Sequence, residues 1–426
     1  MNSFFEPKFA SIAVFIVAYL FFIVFSRTRA LVAVIGAALL IVTGTISPIR
    51  AFWVINWNVM GIFVGMLAVA DIFMRSRVPA FLAQTIVNHS TNTCWAILLI
   101  CLMTGFISAF VENVATVLIV APIALSLARK LNINPTKMMF SIAISSNLQG
   151  AATLIGDPPS MLLGGFAKMD FGNFFFYYGK PSIFFAVELG ALFSFFVLYL
   201  VFRKLKEKNN LVETEKITSL MPTYILLALI ILLTISSFLN SSSNCAAGTL
   251  CMIFGFIALL WEKVKNRGDI FQIIKFLDWE TTFFLIGVFV LVGGITITGW
   301  IENVSDFLAV LVGNNVFWGY TMLVFTAVIL SAFIDNVPFL AAMLPVAITM
   351  SEKLGINQSL LMFGLLIGAS LGGNITPIGA SANIVACGLL KKEGYPVKFG
   401  EFVNLGLPFT LIAVFVAYVF VWVIWS

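Results

Sequence analysis

The chain has 426 residues, of which 61% are hydrophobic and only 10% are charged, and its mean hydropathy is +1.07. A soluble domain has about 25% charged residues and cannot bury this much apolar surface, so the composition excludes a soluble protein and predicts a polytopic membrane protein. The net charge of +5 comes mostly from short loops and therefore indicates membrane orientation, not nucleic-acid binding.

Ten apolar runs are predicted to cross the bilayer, because each approaches or exceeds the roughly 18–20 apolar residues that a crossing needs. The first five lie at 10–25, 30–47, 57–73, 138–166 and 181–202, with an interfacial helix predicted at 78–90. The last five lie at 222–239, 246–261, 281–299, 360–390 and 402–425. Between 299 and 316 we expect a loop that carries the acidic residues Glu302 and Asp306.

Two further apolar segments, at about 95–128 and about 316–350, are predicted to be re-entrant hairpins. The two arms of the first are joined only by Glu112 and Asn113, which is too short a connection to reach water and turn back. Its second arm, at 114–128, would be about 22 Å long against a hydrocarbon core of about 30 Å. The tip should therefore lie near mid-membrane. Two short full spans with Glu112 at the surface are the alternative.

The runs 138–166 and 360–390 are predicted to be discontinuous helices. The first is interrupted by polar and helix-breaking residues, namely Asn147, Gln149, Gly150, Gly156, Asp157, Pro158 and Pro159. Proline and glycine open the helical hydrogen-bond ladder, and the freed backbone groups need a cavity lined by protein or water.

An internal duplication relates the two halves of the chain. Residues 108–160 align without a gap to residues 331–383, with 19 identities over 53 positions. Each half has five predicted crossings plus one hairpin, and an odd number of crossings inverts the second copy in the membrane. We therefore predict inverted repeats at 1–202 and 220–426, joined by a cytoplasmic linker at 203–219, with both termini outside because basic residues concentrate on the linker side.

Carboxylates occupy the positions that this architecture places at mid-membrane. Glu112 and Asp335 lie at equivalent hairpin tips, whereas Asp157 in the first broken helix has Ala380 as its counterpart. A charged group there costs about 2.5–3.5 kcal/mol even on insertion scales, which favours a functional role. Helix capping by Glu112 and Asp335, and a turn role for Asp157, are the structural alternatives.

Inverted repeats with broken helices and polar groups at the midplane are typical of secondary transporters. The residues predicted to bind substrate or ion are Glu112, Asn113, Thr116, Asn147, Thr153, Asp157, Asp335, Asn336, Asn374, Thr376, Ser381 and Asn383. Possible Na⁺ ligands among them are Glu112, Asn113, Asp157, Asp335 and Asn336. Asp157 and Glu112 predict ion coupling in the first half, and the neutral donors of the second half predict solute binding there.

The tips, the prolines in the hairpin arms and the segments QGAAT, IGDPP and TPIGASAN resemble the ion transporter superfamily, and within it the arsenite permease and melanocyte P-protein permease group. In the related sodium–dicarboxylate symporters the tip reads Ser-Asn-Thr. Here Glu112-Asn113-Val114 and Asp335-Asn336-Val337 take its place. The resemblance implies a homodimer in which a domain of hairpins and broken helices moves against a scaffold.

We therefore expect a multi-pass transporter, in a prokaryotic cell membrane, for a small anion, oxyanion or weak acid, coupled to H⁺ or Na⁺. A Na⁺/H⁺ antiporter of the same fold is the alternative. A channel and a membrane enzyme are the two classes outside transport. A channel would need no pair of mirrored gates, and an enzyme is disfavoured because no acid/base or nucleophile cluster occurs beyond these carboxylates, His89 being the only histidine. The expected partners are the lipid bilayer and a small ion, with no nucleic acid and no cofactor besides the coupling ion.

Overall fold

The computed structural model describes residues 6–25, 28–131, 133–206, 215–239, 246–266, 270–313 and 315–426. Residues 207–214 of the predicted linker lie outside this set. The first half contains α1 (Pro7–Val24), α2 (Arg29–Val42), α3 (Pro48–Val54), α4 (Trp57–Arg75), α5 (Val78–His89), α6 (Thr93–Ser108), α7 (Asn113–Lys130), α8 (Thr136–Gly150), α9 (Pro158–Ala167) and α10 (Ile183–Phe202). A short antiparallel pair, β1 (Phe176–Tyr177) and β2 (Lys180–Pro181), precedes α10.

The second half repeats this order. It contains α11 (Met221–Phe238), α12 (Ala246–Asn266), α13 (Ile270–Phe276), α14 (Trp279–Ile297), α15 (Trp300–Val312), α16 (Val316–Ser331), α17 (Asn336–Leu354), α18 (Gln358–Gly372), α19 (Ser381–Lys392) and α20 (Phe399–Trp425). Among the described residues, nine helices are long and apolar enough to cross a membrane. The prediction of an all-α polytopic membrane protein is confirmed.

The expected loop at Glu302 and Asp306 was wrong, because both residues lie in helix α15. Gly299 has φ +79°, a left-handed conformation that turns the chain sharply into this helix. Glu302 lies in the first turn, where the helix dipole stabilises a negative charge, and Ile301 is buried. The acidic residues therefore mark the polar face of an amphipathic helix, in the position that α5 occupies in the first half.

Helix α7, the second arm of the first hairpin, has 18 residues and is about 27 Å long, which exceeds the predicted length of about 22 Å. Its length alone would permit a crossing. Its N-terminal end, however, lies inside the protein, because Asn113 is buried at the tip. The equivalent Asn336 of the second hairpin is buried as well.

Each repeat packs its third long helix against the other repeat. Helix α4 contacts α11 and α12, and α14 contacts α1 and α2. Gly65 and Gly287 lie at equivalent positions in these contacts. A Cβ at Gly65 would lie 2.3 Å from the carbonyl carbon of Cys251, and one at Gly287 would lie 2.6 Å from that of Ala33. Glycine therefore permits close packing of backbones, as small residues do between membrane helices.

The hairpins and broken helices form a second layer of contacts. Helix α6 packs on α8 and α16 packs on α18 within the repeats, whereas α7 contacts α19 and α17 contacts α9 across them. These contacts bring both hairpin tips and both helix breaks together.

Candidate functional site

The two hairpin tips have the same backbone geometry. Glu112 caps α7 by accepting a hydrogen bond from the Ala115 backbone N–H at 2.9 Å. Asp335 caps α17 by accepting one from the Val337 N–H at 3.1 Å. Helix capping, the structural alternative for these two acids, is therefore observed, but it does not exclude ligand binding. Because each cap occupies one carboxylate oxygen at most, both acids keep acceptor capacity for a ligand.

The breaks in the two helices differ. In the first, Asp157 caps α9 by accepting a hydrogen bond from the Ser160 N–H at 3.0 Å. Asp157 is 1% exposed, and its Oδ2 has no hydrogen-bond partner among the described residues. In the second, Ala380 precedes α19 and no side chain caps that helix. An unpartnered buried carboxylate oxygen is costly, which indicates a place for a cation or a proton.

A single cavity of about 70 Å³ joins the two tips and the two breaks. One water needs about 10–15 Å³, so several waters or one small ion can be held there. Seven of the predicted site residues line it, namely Glu112, Asn113, Asn147, Asp157, Asp335, Asn336 and Ser381. All five predicted Na⁺ ligands are among them. The described residues contain no group of three or more Asp, Glu, His or Cys side chains arranged to hold a metal ion, so Na⁺ would also need amide or backbone oxygens.

Three buried amides connect the two repeats beside the cavity. The Nδ2 of Asn113 donates to Asn147 Oδ1 at 3.3 Å. The Nδ2 of Asn147 donates to Asn374 Oδ1 at 3.0 Å and also to the carbonyl oxygen of Ser370, the residue equivalent to Asn147 in the second repeat, at 3.0 Å. Ser108 Oγ completes the chain by donating to Asn113 Oδ1 at 2.7 Å. These hydrogen bonds link the tip of the first hairpin to the helix break of the second repeat.

The remaining predicted site residues do not line the cavity. Thr153 donates to the carbonyl of Ala109 and Thr376 donates to that of Ala332, so each ties a helix break to a hairpin tip. The side chains of the other two residues form hydrogen bonds within their own segment, Thr116 in the hairpin arm and Asn383 at its helix break. Thr116 donates to the carbonyl of Glu112 at 3.1 Å, and the Nδ2 of Asn383 donates to the carbonyls of Gly373 and Thr376, both at 3.0 Å. A direct binding role for these four residues and for Asn374 stays a prediction.

Arg29 is one of the site residues that could not be predicted from the sequence motifs. Its Nη1 forms an ion pair with Asp335 Oδ2, and its side chain lines the cavity. Its guanidinium lies 5.2 Å from the centre of the Phe284 ring. A count of charges could have found it, since several buried acids need a basic partner.

Asp278 and Thr281, at the start of α14, also line the cavity and were not predicted. Asp278 caps α14 by accepting a hydrogen bond from the Thr281 N–H at 2.9 Å. Among the described residues, the cavity is lined by the acids Glu112, Asp157, Asp278 and Asp335 and by one basic side chain, Arg29. If all were ionised, its net charge would be −3, which favours binding of cations or protons.

The chain is similar to transporters over almost its whole length. A family model described as CitMHS, citrate transporter, matches residues 19–360 and, in an overlapping match, 269–426. An uncharacterized transporter of Mycobacterium tuberculosis is 26% identical over 421 residues, which covers 97% of both chains. The P protein of Mus musculus is 27% identical over 477 residues, which covers 90% of this chain and 56% of the mouse protein. The crystal structure of the YdaH transporter of Alcanivorax borkumensis has the same fold, with a TM-score of 0.60 at 14% identity and 98% of each chain covered.

Proposed function

Because the chain belongs to the CitMHS citrate transporter family, we propose that it is a secondary active transporter for a small anion, oxyanion or weak acid, coupled to H⁺ or Na⁺. The observation that carries this proposal is the cavity that joins both hairpin tips and both helix breaks. The same elements in both repeats can then open to either side of the membrane by equivalent movements.

The chemistry of the cavity supports a negatively charged or acidic solute together with a cation. Ser381 begins helix α19 at the cavity, no side chain caps this end, and the N-terminal ends of helices attract anions. The acids Glu112 and Asp157, in contrast, favour the binding of a cation. A carboxylate-bearing solute such as citrate, which the family description names, is one member of the proposed class.

We further propose that the structure corresponds to an inward-facing state. Arg29 and Asp278 lie at the starts of α2 and α14, which the sequence predicts to be on the cytoplasmic side, and both residues line the cavity. The layer formed by α1, α2, α4, α11, α12 and α14 would serve as the scaffold. The hairpins and broken helices would move against it, and the homodimer implied by the resemblance would hold the scaffold in place.

The orientation has its own test. Cysteine at Lys206 should be labelled from the cytoplasmic side and cysteine at Tyr178, an 80% exposed residue in the β1–β2 turn, from the outside. Labelling of both from one side would contradict the proposed topology, including the outside position of both termini.

A Na⁺/H⁺ antiporter is the second candidate, favoured by the excess of acids in the cavity. Proteoliposomes loaded with buffer separate the two. For the first candidate, an inward H⁺ or Na⁺ gradient should drive uptake of labelled citrate or arsenite. For the antiporter, a Na⁺ gradient alone should change the internal pH with no solute present. If neither flux exceeds that of empty liposomes, both candidates are contradicted.

A further inference from the structure

The two hairpin tips differ in the charge that faces them, although their backbones are equivalent. Asp335 forms an ion pair with Arg29, whereas neither Glu112 nor Asp157 takes part in any of the ion pairs of the described residues. We propose that the guanidinium of Arg29 is a built-in cation at the second tip, so that one exchangeable coupling cation binds, at Glu112 and Asp157 in the first repeat. This inference rests on the proposed transport function.

Several groups hold Arg29 in this place. It is the first residue of α2, and its side chain is 19% exposed while that of Asp335 is 25% exposed. The face of Phe284 on α14 lies against the guanidinium, a favourable cation–π contact. Asp278 and Glu280, both near the start of α14, attract it as well. The positive charge therefore belongs to the scaffold and the negative charge of Asp335 to the hairpin.

Arginine differs from a bound Na⁺ or proton in a way that determines coupling. Its side chain does not lose its proton in proteins, and the covalent attachment prevents its release to either side. Neutralisation of Asp335 is consequently independent of the pH and the Na⁺ concentration. A cation at this tip cannot be carried across the membrane.

The first repeat has the opposite properties. Glu112 and Asp157 line the same cavity, as does Asp278, and Asp157 Oδ2 has no hydrogen-bond partner among the described residues. Two acids that share a site cannot both remain ionised without a large free-energy cost, so the pair should take up one proton or one Na⁺. This cation can exchange, because no basic side chain of the described residues pairs with Glu112 or Asp157.

The test measures the cation dependence of purified protein. Thermal unfolding is followed in NaCl titrations at constant ionic strength with choline chloride, and in pH titrations at fixed Na⁺. Solute uptake into proteoliposomes is measured under the same conditions. The Hill slope cannot exceed the number of coupled sites. We expect a slope of about 1 for the wild type and for Arg29→Lys, which keeps the charge, but a slope approaching about 2 for Arg29→Gln.

The double variant Arg29→Gln/Asp335→Asn is the matched control. It removes both charges at the second tip, so the slope should return to about 1. A slope unchanged in Arg29→Gln, or still raised in the double variant, would overturn the inference. If Arg29→Gln fails to fold and the double variant folds, the guanidinium is shown to neutralise Asp335. Failure of both variants to fold would instead show a purely structural role and overturn the inference.

The outcome is distinguishable from a failure of the transport proposal. Unfolding reports cation binding without any flux, so the wild-type and variant slopes can be compared even if no solute is carried. Absence of coupled flux in the wild type would count against the proposed function alone.

Discussion

The first and second hairpin tips have the same fold but unequal electrostatics. Both acids cap the second arm of their hairpin, both are followed by a buried Asn, and both line the cavity. Of these two acids only Asp335 has an arginine partner, and an acid at the helix break, Asp157, occurs only in the first repeat. A duplicated fold can therefore conserve backbone geometry while a few side chains assign different tasks to its halves.

The largest effect is expected for Glu112→Gln. The substitution keeps the shape of the side chain but removes a charge that has no basic partner, so the apparent affinity for the coupling ion should fall on the order of 100-fold. Asp335→Asn should change it far less, because Arg29 already neutralises Asp335. The measurement is H⁺- or Na⁺-dependent uptake in proteoliposomes.

Glu352→Gln is the control for this comparison, since Glu352 is an exposed acid near the end of α17. Its ion dependence should match that of the wild type. Equal ion dependence in Glu112→Gln and the wild type would refute a coupling role for the first tip.

A smaller effect is expected for Asp157→Ala, because Glu112 would remain to hold the cation. The coupling-ion affinity should fall about tenfold, or about 1.4 kcal/mol, with little change in the affinity for the solute. Both affinities can be read from uptake measured at varied ion and varied solute concentrations. A loss confined to solute affinity would reverse the assignment of tasks to the two halves.

Asn374→Ala should lower the affinity for the solute and not that for the coupling ion, with a smaller effect than Asp157→Ala. Asn374 does not line the cavity but accepts the hydrogen bond of Asn147, whose loss is worth about 1 kcal/mol. Solute affinity should fall about fivefold while the ion dependence is retained. The same uptake assay decides, and an ion-affinity change as large as that of Asp157→Ala would contradict the division.

The smallest difference is expected between Thr153→Val and Thr376→Val. Each removes one buried hydrogen bond from a helix break to a hairpin carbonyl, at equivalent places in the two repeats. Both should lower the free energy of unfolding by about 1 kcal/mol and leave both affinities unchanged. Thermal or denaturant unfolding gives the first quantity. A selective loss of ion or solute affinity in one variant would support the direct binding role predicted for that threonine.

Much of the architecture could be predicted because a membrane-spanning helix can be recognised from the apolar residues of its own segment. The long apolar runs predicted α4, α10, α14 and α20 to within a few residues at either end. The helix breaks after Gly150 and Gly372 followed from glycine, proline and polar residues within apolar runs. Amphipathic α15 was missed, because its acidic residues resemble a loop when the buried face is unknown.

By itself, the sequence determined the membrane class and the internal duplication, since apolar length and internal identity can be read from the sequence directly. It also predicted three functional acids from the cost of placing a charge in a membrane. Tertiary structure alone decided the partners of those acids. Arg29 and Asp335 are 306 positions apart, and the rule that assigns basic residues to cytoplasmic loops gave no reason to place one at a hairpin tip. Their pairing depends on how α2 packs against α14 and where the second hairpin ends, which are long-range contacts that no single segment contains.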